Sequence, residues 1–140
     1  MRSSGLLVVP LLLAVSSARA ADLVVKVGGI RSSSGEIGCA LYASPDGFPM
    51  EQKGASVQWQ PAREDGVVCR FPGLQRGTYA MAVVHDLNGN HRTDTNLLGM
   101  PTEDWGVSNN VRHSLRAPSF DEAQVGIGQR DVEIEIRVGR

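Results

Sequence analysis

Thr78-Tyr79-Ala80-Met81-Ala82-Val83-Val84-His85-Asp86-Leu87-Asn88-Gly89-Asn90-His91-Arg92-Thr93-Asp94 is the stretch whose reading decides the fold. Its first half is apolar on both alternating faces, with Tyr79, Met81 and Val83 on one side and Ala80, Ala82 and Val84 on the other. Three alanines there also suit a helix. Thr78, Tyr79, Val83 and Val84 favour extended backbone, because β-branched and aromatic side chains pack well on a pleated surface. The reading is a central strand, covered on both faces, that ends in a loop crowded with Asp and Asn oxygens.

Working outward, the flanking segments are also strand-like. Leu23, Val25 and Val27 alternate with Val24 and Lys26, and Ile37, Cys39, Leu41 and Ala43 share one face of the next run. Val57 and Trp59 mark a half-exposed strand stopped by Pro61, and Val67, Cys69 and Phe71 mark a fourth. Beyond the central strand, Val125 and Ile127 suggest a brief sixth. Val132, Ile134, Ile136 and Val138 alternate with Glu133, Glu135 and Arg137 as a last strand with one wet face. Phe48-Pro49-Met50 reads as an apolar plug closing one end of the core. Pro118 to Ala123 reads as a helical turn, capped by Ser119 with Glu122 three residues on. Seven short strands with frequent glycine punctuation describe an all-β antiparallel sandwich. Tyr79, two residues after Gly77, is placed to return its hydroxyl to the preceding corner, as in immunoglobulin-like sandwiches, and is a structural residue on that reading.

The N-terminus has the layout of a cleaved secretory leader: Arg2, an apolar run from Leu6 to Val15, then Ala18-Arg19-Ala20. The run is broken by Pro10 and is about half the ~20 residues that a spanning helix needs. Domain organisation is therefore a signal peptide over 1–20 and a single domain over 21–140. No transmembrane segment is expected in that domain. Without Arg2 and Arg19, the 14 basic residues fall to 12 against 15 acidic ones, a formal charge of −3. With no basic stripe, nucleic acid is not an expected partner. Localisation is exported, periplasmic or extracellular.

In an oxidising compartment the two cysteines, Cys39 and Cys69, favour a disulfide over two buried thiols. Both are in phase with inward-facing apolar residues.

From Leu87 to Ala117 periodicity disappears. A loop this long is uncommon in a compact domain and is generally functional or disordered. Leu97, Leu98, Met100, Trp105 and Val107 argue for order, each being able to pin the loop to the sheet. Three groups of residues stand in order: Gly77-Thr78-Tyr79-Ala80; His85-Asp86-x-Asn88-Gly89-Asn90; and Asp94-Thr95-Asn96-x-x-Gly99-x-Pro101-x-Glu103. Trp105-Gly106-x-Ser108-Asn109-Asn110 and Pro118-Ser119-Phe120-x-x-Ala123 follow. With these motifs the chain resembles the DUF2141 family of small exported bacterial proteins of uncharacterised function. It is also similar to prealbumin-like and carboxypeptidase-regulatory-like sandwiches in its Leu74, Gly77, Tyr79 turn. The resemblance implies the sandwich and export, and carries no activity. The chain departs from the family at His91, where Gly is usual, and a side chain there crowds a tight metal loop.

Asp86, Asn88, Asn90 and Asp94 stand at relative positions 1, 3, 5 and 9, with the Arg92 carbonyl at position 7. Alternate oxygens of a curling loop are what calcium takes, and the pattern matches most of an EF-hand loop. It lacks the position-6 Gly and the position-12 Glu, being His91 and Leu97 there; Glu103 or Asp104 would supply the missing carboxylate. The competing reading is that these side chains hydrogen-bond their own loop as Asx-turns. Calcium affinity with this donor set is expected to be weak, ~10⁻⁴ M or poorer. A transition-metal site from His85, His91 and His113 with Asp86 and Asp94 has no recognised spacing behind it. Enzyme motifs are absent: no G-x-S-x-G elbow and no phosphate loop. Ser108 has no identifiable base and reads as a turn residue.

The leading expectation is a non-enzymatic exported domain that binds an unidentified ligand or envelope protein through the Leu87–Ala117 loop. One alternative is an envelope carbohydrate- or lipid-acting hydrolase or isomerase using Asp86, Asp94, Glu103 and a His, which requires their convergence in a concave pocket with a raised carboxylate pKa. Another is a structural envelope protein, which requires an exposed apolar patch.

Overall fold

A computed structural model describes residues 19–140, so the leader assigned to 1–20 lies almost wholly outside the described residues. Eight strands form two packed sheets: β1 (Ala21–Gly28), β2 (Glu36–Tyr42), β3 (Ser56–Pro61), β4 (Val67–Leu74), β5 (Gly77–Asp86), β6 (Trp105–Val107), β7 (Gln124–Ile127) and β8 (Val132–Arg137). The smaller sheet runs β4-β1-β8; the larger runs β3-β2-β5-β6, with β7 also pairing β5. This is the expected all-β sandwich. Its pairs are antiparallel except β1 and β8, which are parallel from Leu23↔Val132 to Gly28↔Arg137.

The main core lies between the sheets. Leu23, Val25 and Val27 of β1 meet Ile37, Cys39 and Leu41 of β2 and Met81 and Val83 of β5, with Ile136 and Phe71 closing the sides. The alternation seen in the sequence delivers these residues, because successive side chains of a strand point to opposite faces. Cys39 on β2 and Cys69 on β4 are bonded, tying one sheet to the other across 30 residues of chain. The Tyr79 hydroxyl donates to the Gln75 carbonyl at 2.9 Å, fixing the turn into β5 as expected.

β5 is covered on both faces. Its outward residues Ala80 and Ala82 belong to a second cluster with Ala40, Tyr42, Val107, Phe120 and Ala123. The 43–55 loop covers this outer face: Phe48 packs edge-on against Tyr42 at 5.2 Å and Phe120 at 6.0 Å. The segment expected to plug one end of the core therefore roofs the outer side of the larger sheet instead. The reason is that β2 and β5 are apolar on their outward faces too, and that surface needs cover.

Two further differences concern the long loop. Trp105–Val107 is an eighth strand, registered on Ala82–Val84 of β5, and three residues are too few to show a period. Leu97, Leu98 and Met100 do not pin the loop; they are exposed, and anchorage falls to Trp105 and Val107, joined by Val111. At Pro118–Ala123 the expected turn forms: Ser119 N–H donates to Glu122 Oε2 at 2.9 Å and Glu122 N–H to Ser119 Oγ at 3.3 Å.

Candidate functional site

β5 ends at Asp86, on the outward face and without exposed surface. A buried carboxylate must be hydrogen-bonded, and here the following loop supplies the donors. Gly89 N–H donates to Asp86 Oδ1 at 2.8 Å and His91 N–H to Oδ2 at 2.7 Å. Asn88 and Asn90 repeat the device: Asn90 N–H donates to Asn88 Oδ1 and Arg92 N–H to Asn90 Oδ1, at 3.1 and 3.0 Å. The two amide groups turn their Nδ2 atoms to Asp94, at 2.5 Å from Asn88 and 2.7 Å from Asn90. The Asp86, Asn88 and Asn90 oxygens thus satisfy backbone that a tight curl leaves without partners, while Asp94 orients the two amides.

Glu103 closes the curl from behind. Buried, it accepts Leu87 N–H on Oε1 at 3.0 Å and Asp94 N–H on Oε2 at 3.3 Å, fastening both ends of the loop. Asp104 beside it takes a bidentate pair from Arg31, 2.8 Å from Nε and 2.5 Å from Nη2, with Arg140 Nε at 3.4 Å. Its carboxyl is held below the usual range, first by the Arg31 hydrogen bonds and then by the charges of Arg31 and Arg140, against the opposing effect of burial. All six residues proposed as ligands lie in or against this one loop; Arg92 enters through its backbone.

His91 takes φ +57°, the left-handed conformation that a side chain disfavours. Its ring stacks on Trp59 of β3, centroids 4.2 Å apart and planes 12° apart, and Nε2 lies 2.6 Å from Glu36 Oε2. Trp59 itself lies across Gly38, where a Cβ would stand 2.5 Å from the indole. Among the described residues, the three ligand-type side chains whose donor atoms lie within 4.8 Å of one another are Glu36, Asp86 and His91. Sequence reading missed Glu36 and the stacking role of Trp59. The only signal was that Glu36 opens β2 as Asp86 closes β5, a pairing set by register.

The three histidines do not converge. His85 Nε2 is 2.7 Å from the Ser34 carbonyl and His113 Nε2 is 2.9 Å from Glu122. Nor do Asp86, Asp94 and Glu103 line the apolar cleft on the outer sheet face. That cleft has a floor of Gly38, Ala40 and Ala82 under Pro49, Met50 and Trp105, with a volume of about 30 Å³, space for one or two waters. The carboxylates that depart from their ordinary pKa, Asp65, Asp104 and Glu122, are all held low, each mainly by an arginine hydrogen bond. Ser108 acts as a buried tie: its Oγ accepts Met81 N–H at 3.0 Å and donates to the Ala123 carbonyl. Asn109 and Asn110 extend the tie to β7 and β8 through Gln124 O and Glu135 O.

Fold and loop together define a class: a two-sheet β-sandwich presenting a hydrogen-bonded Asp/Asn loop at one rim. The family model described as "Uncharacterized protein conserved in bacteria (DUF2141)" matches residues 25–135, and the chain belongs to that family. No curated protein and no solved structure matches it.

Proposed function

We propose that the chain is an exported, non-catalytic binding domain that meets its ligand or envelope partner through the loop from Leu87 to Ala117. The observation that carries this is the double tie of Glu103 to Leu87 and Asp94. It holds a long surface loop in one shape on a rigid sheet, the arrangement in which loops carry recognition. Leu97 and Leu98 project from a closed turn in which Asn96 Oδ1 accepts Leu98 N–H at 2.9 Å and Met100 N–H at 3.1 Å. Their relative exposures of 105% and 86% offer a partner apolar surface with little ordering cost. A structural envelope role draws on the same leucines. The leader pattern at Leu6–Ala20 and the Cys39–Cys69 bond support export.

Calcium is the ion whose chemistry these residues suit: Asp86, Asn88, Asn90, the Arg92 carbonyl, Asp94 and Glu103 all offer hard oxygens. Binding requires Asn88 and Asn90, whose Nδ2 atoms face Asp94, to turn their oxygens to the ion. His91, in the place of the position-6 glycine, adopts the same positive φ, so the sharp turn of such a loop is made without glycine. The oxygens of Asp86, Asn88 and Asn90 each accept one N–H and keep a second lone pair for an ion. For Kd ~10⁻⁴ M, 5 mM calcium should stabilise the protein by ~2 kcal/mol. Thermal melts with calcium and with chelator test this. A rise of several degrees, absent in Asp94→Asn, is expected; identical curves at 10 mM calcium remove the calcium reading. Mass measurement of the protein secreted by an expression host tests export, with Ala21 as the expected first residue.

A further inference from the structure

Glu36 and Asp86 are cross-strand partners at the end of the β2–β5 ladder, on the outward face. Side chains directly opposite on one face stand ~5 Å apart at Cβ, and two like charges there repel. The chain nevertheless brings a third ligand-type group to this row. His91 folds back from the loop in a left-handed conformation, stacks flat on Trp59 and reaches Glu36. One donor atom from each of Glu36, Asp86 and His91 lies within 4.8 Å of the other two. Asp86 is buried, while the side chains of His91 and Glu36 are 49% and 36% exposed, so the cluster has a fixed base and an open mouth.

We propose that Glu36, Asp86 and His91 form a binding site for a divalent transition-metal ion of the zinc or copper type. The donor set decides the class: imidazole nitrogen with carboxylate oxygen suits zinc and copper, whereas calcium takes oxygen alone. Each oxygen of Asp86 accepts a single N–H, leaving lone pairs for a metal. Tetrahedral bonds of ~2.1 Å place ligands ~3.4 Å apart, so the 2.6 Å His91–Glu36 contact opens slightly and these two exposed side chains shift onto the fixed Asp86. Water completes the coordination on the solvent side. An ion here also neutralises the facing carboxylates, which the His91–Glu36 contact alone does only when His91 is protonated. The site shares Asp86 with the calcium loop but needs neither calcium nor a partner.

Trp59 provides the readout, because a copper ion on His91 sits within quenching distance of the indole stacked on that ring. With Trp105→Phe the chain keeps Trp59 as its single tryptophan. The untagged chain from Ala21, stripped with chelator, is titrated with Cu²⁺ by fluorescence and with Zn²⁺ by calorimetry. Saturable 1:1 binding is expected, reversed by chelator and weakened at least tenfold by His91→Gln and, separately, by Glu36→Gln. Circular dichroism confirms that each variant is folded. Unsaturable quenching without zinc heat, or binding that both folded variants retain, overturns the assignment. Calcium melts separate the two ideas: copper binding without a calcium response leaves this site and removes the calcium loop, and a calcium response without copper or zinc binding does the reverse.

Discussion

Between the sheets, Leu23, Val25, Ile37, Met81 and Ile136 have no exposed surface and make contacts that any well-shaped apolar neighbour would satisfy. In the loop beyond Asp86 almost every contact is a directed hydrogen bond: Asp86 to Gly89 and His91, Asn88 to Asn90, Glu103 to Leu87 and Asp94. Burial is roughly proportional to area and has no direction, so the core should tolerate changes that keep its volume. The loop depends on where particular lone pairs point, and one lost acceptor leaves donors unsatisfied. The sandwich is therefore robust in kind and the loop exacting in detail.

The largest expected effect falls on the core side of that contrast. Replacing Cys39 and Cys69 by alanine should cost about 3 kcal/mol, from the loop-closure entropy returned to the unfolded chain, and lower the melting temperature by roughly 10–15 °C. Calcium and metal titrations on that variant should be unchanged if body and loop are separable; altered titrations would break the comparison.

Next is Asp86→Ala, which leaves the Gly89 and His91 N–H groups without their acceptor. We expect a loss of about 1–3 kcal/mol, measured in chelator, with hydrogen exchange accelerated through 87–94 while β1 and β2 stay protected. Uniform acceleration across the sheets would show that loop and core are one cooperative unit.

Acid should act at the loop's back wall. The pKa of Asp104 is lowered in the folded protein, by the Arg31 hydrogen bonds foremost. Its contribution to stability is therefore complete above the unfolded carboxylate value of ~3.9 and disappears as pH falls through the lower folded value. The stability difference between the protein and Arg31→Gln should be constant from pH 5 to 7 and shrink below about pH 4. A difference that persists there would mean Arg31 acts by packing instead.

The smallest effect is expected at Lys26, whose 2.7 Å pair with Glu133 joins side chains 54% and 58% exposed. Lys26→Ala should change stability by no more than about 0.5 kcal/mol and less still in high salt.

Most of the body was legible because strands announce themselves by period. Val132 to Val138 and Leu23 to Val27 alternate, and the structure places the alternating set inward. β6 was not legible, since three residues carry no period and its strand character comes from the edge of β5. The roles of Phe48 and Pro49 were misplaced because covering an outward sheet face and plugging a core look alike in sequence. In the loop, the oxygen-rich spacing from Asp86 to Asp94 could be read directly. That Glu103 would tie both ends could not, because its partners are backbone N–H groups set by the chain's path.

Side-chain type and spacing along one local backbone were enough for seven of the eight strands, the central place of β5, the cysteine pair in phase with the core and the oxygen-rich loop. Only the tertiary structure decided that Glu36 faces Asp86, that Trp59 lies over Gly38 and that His91 bridges them. Strand register and a loop folding back bring together residues 55 positions apart. Those distances are set by the packing of the whole sheet and leave no trace in local composition.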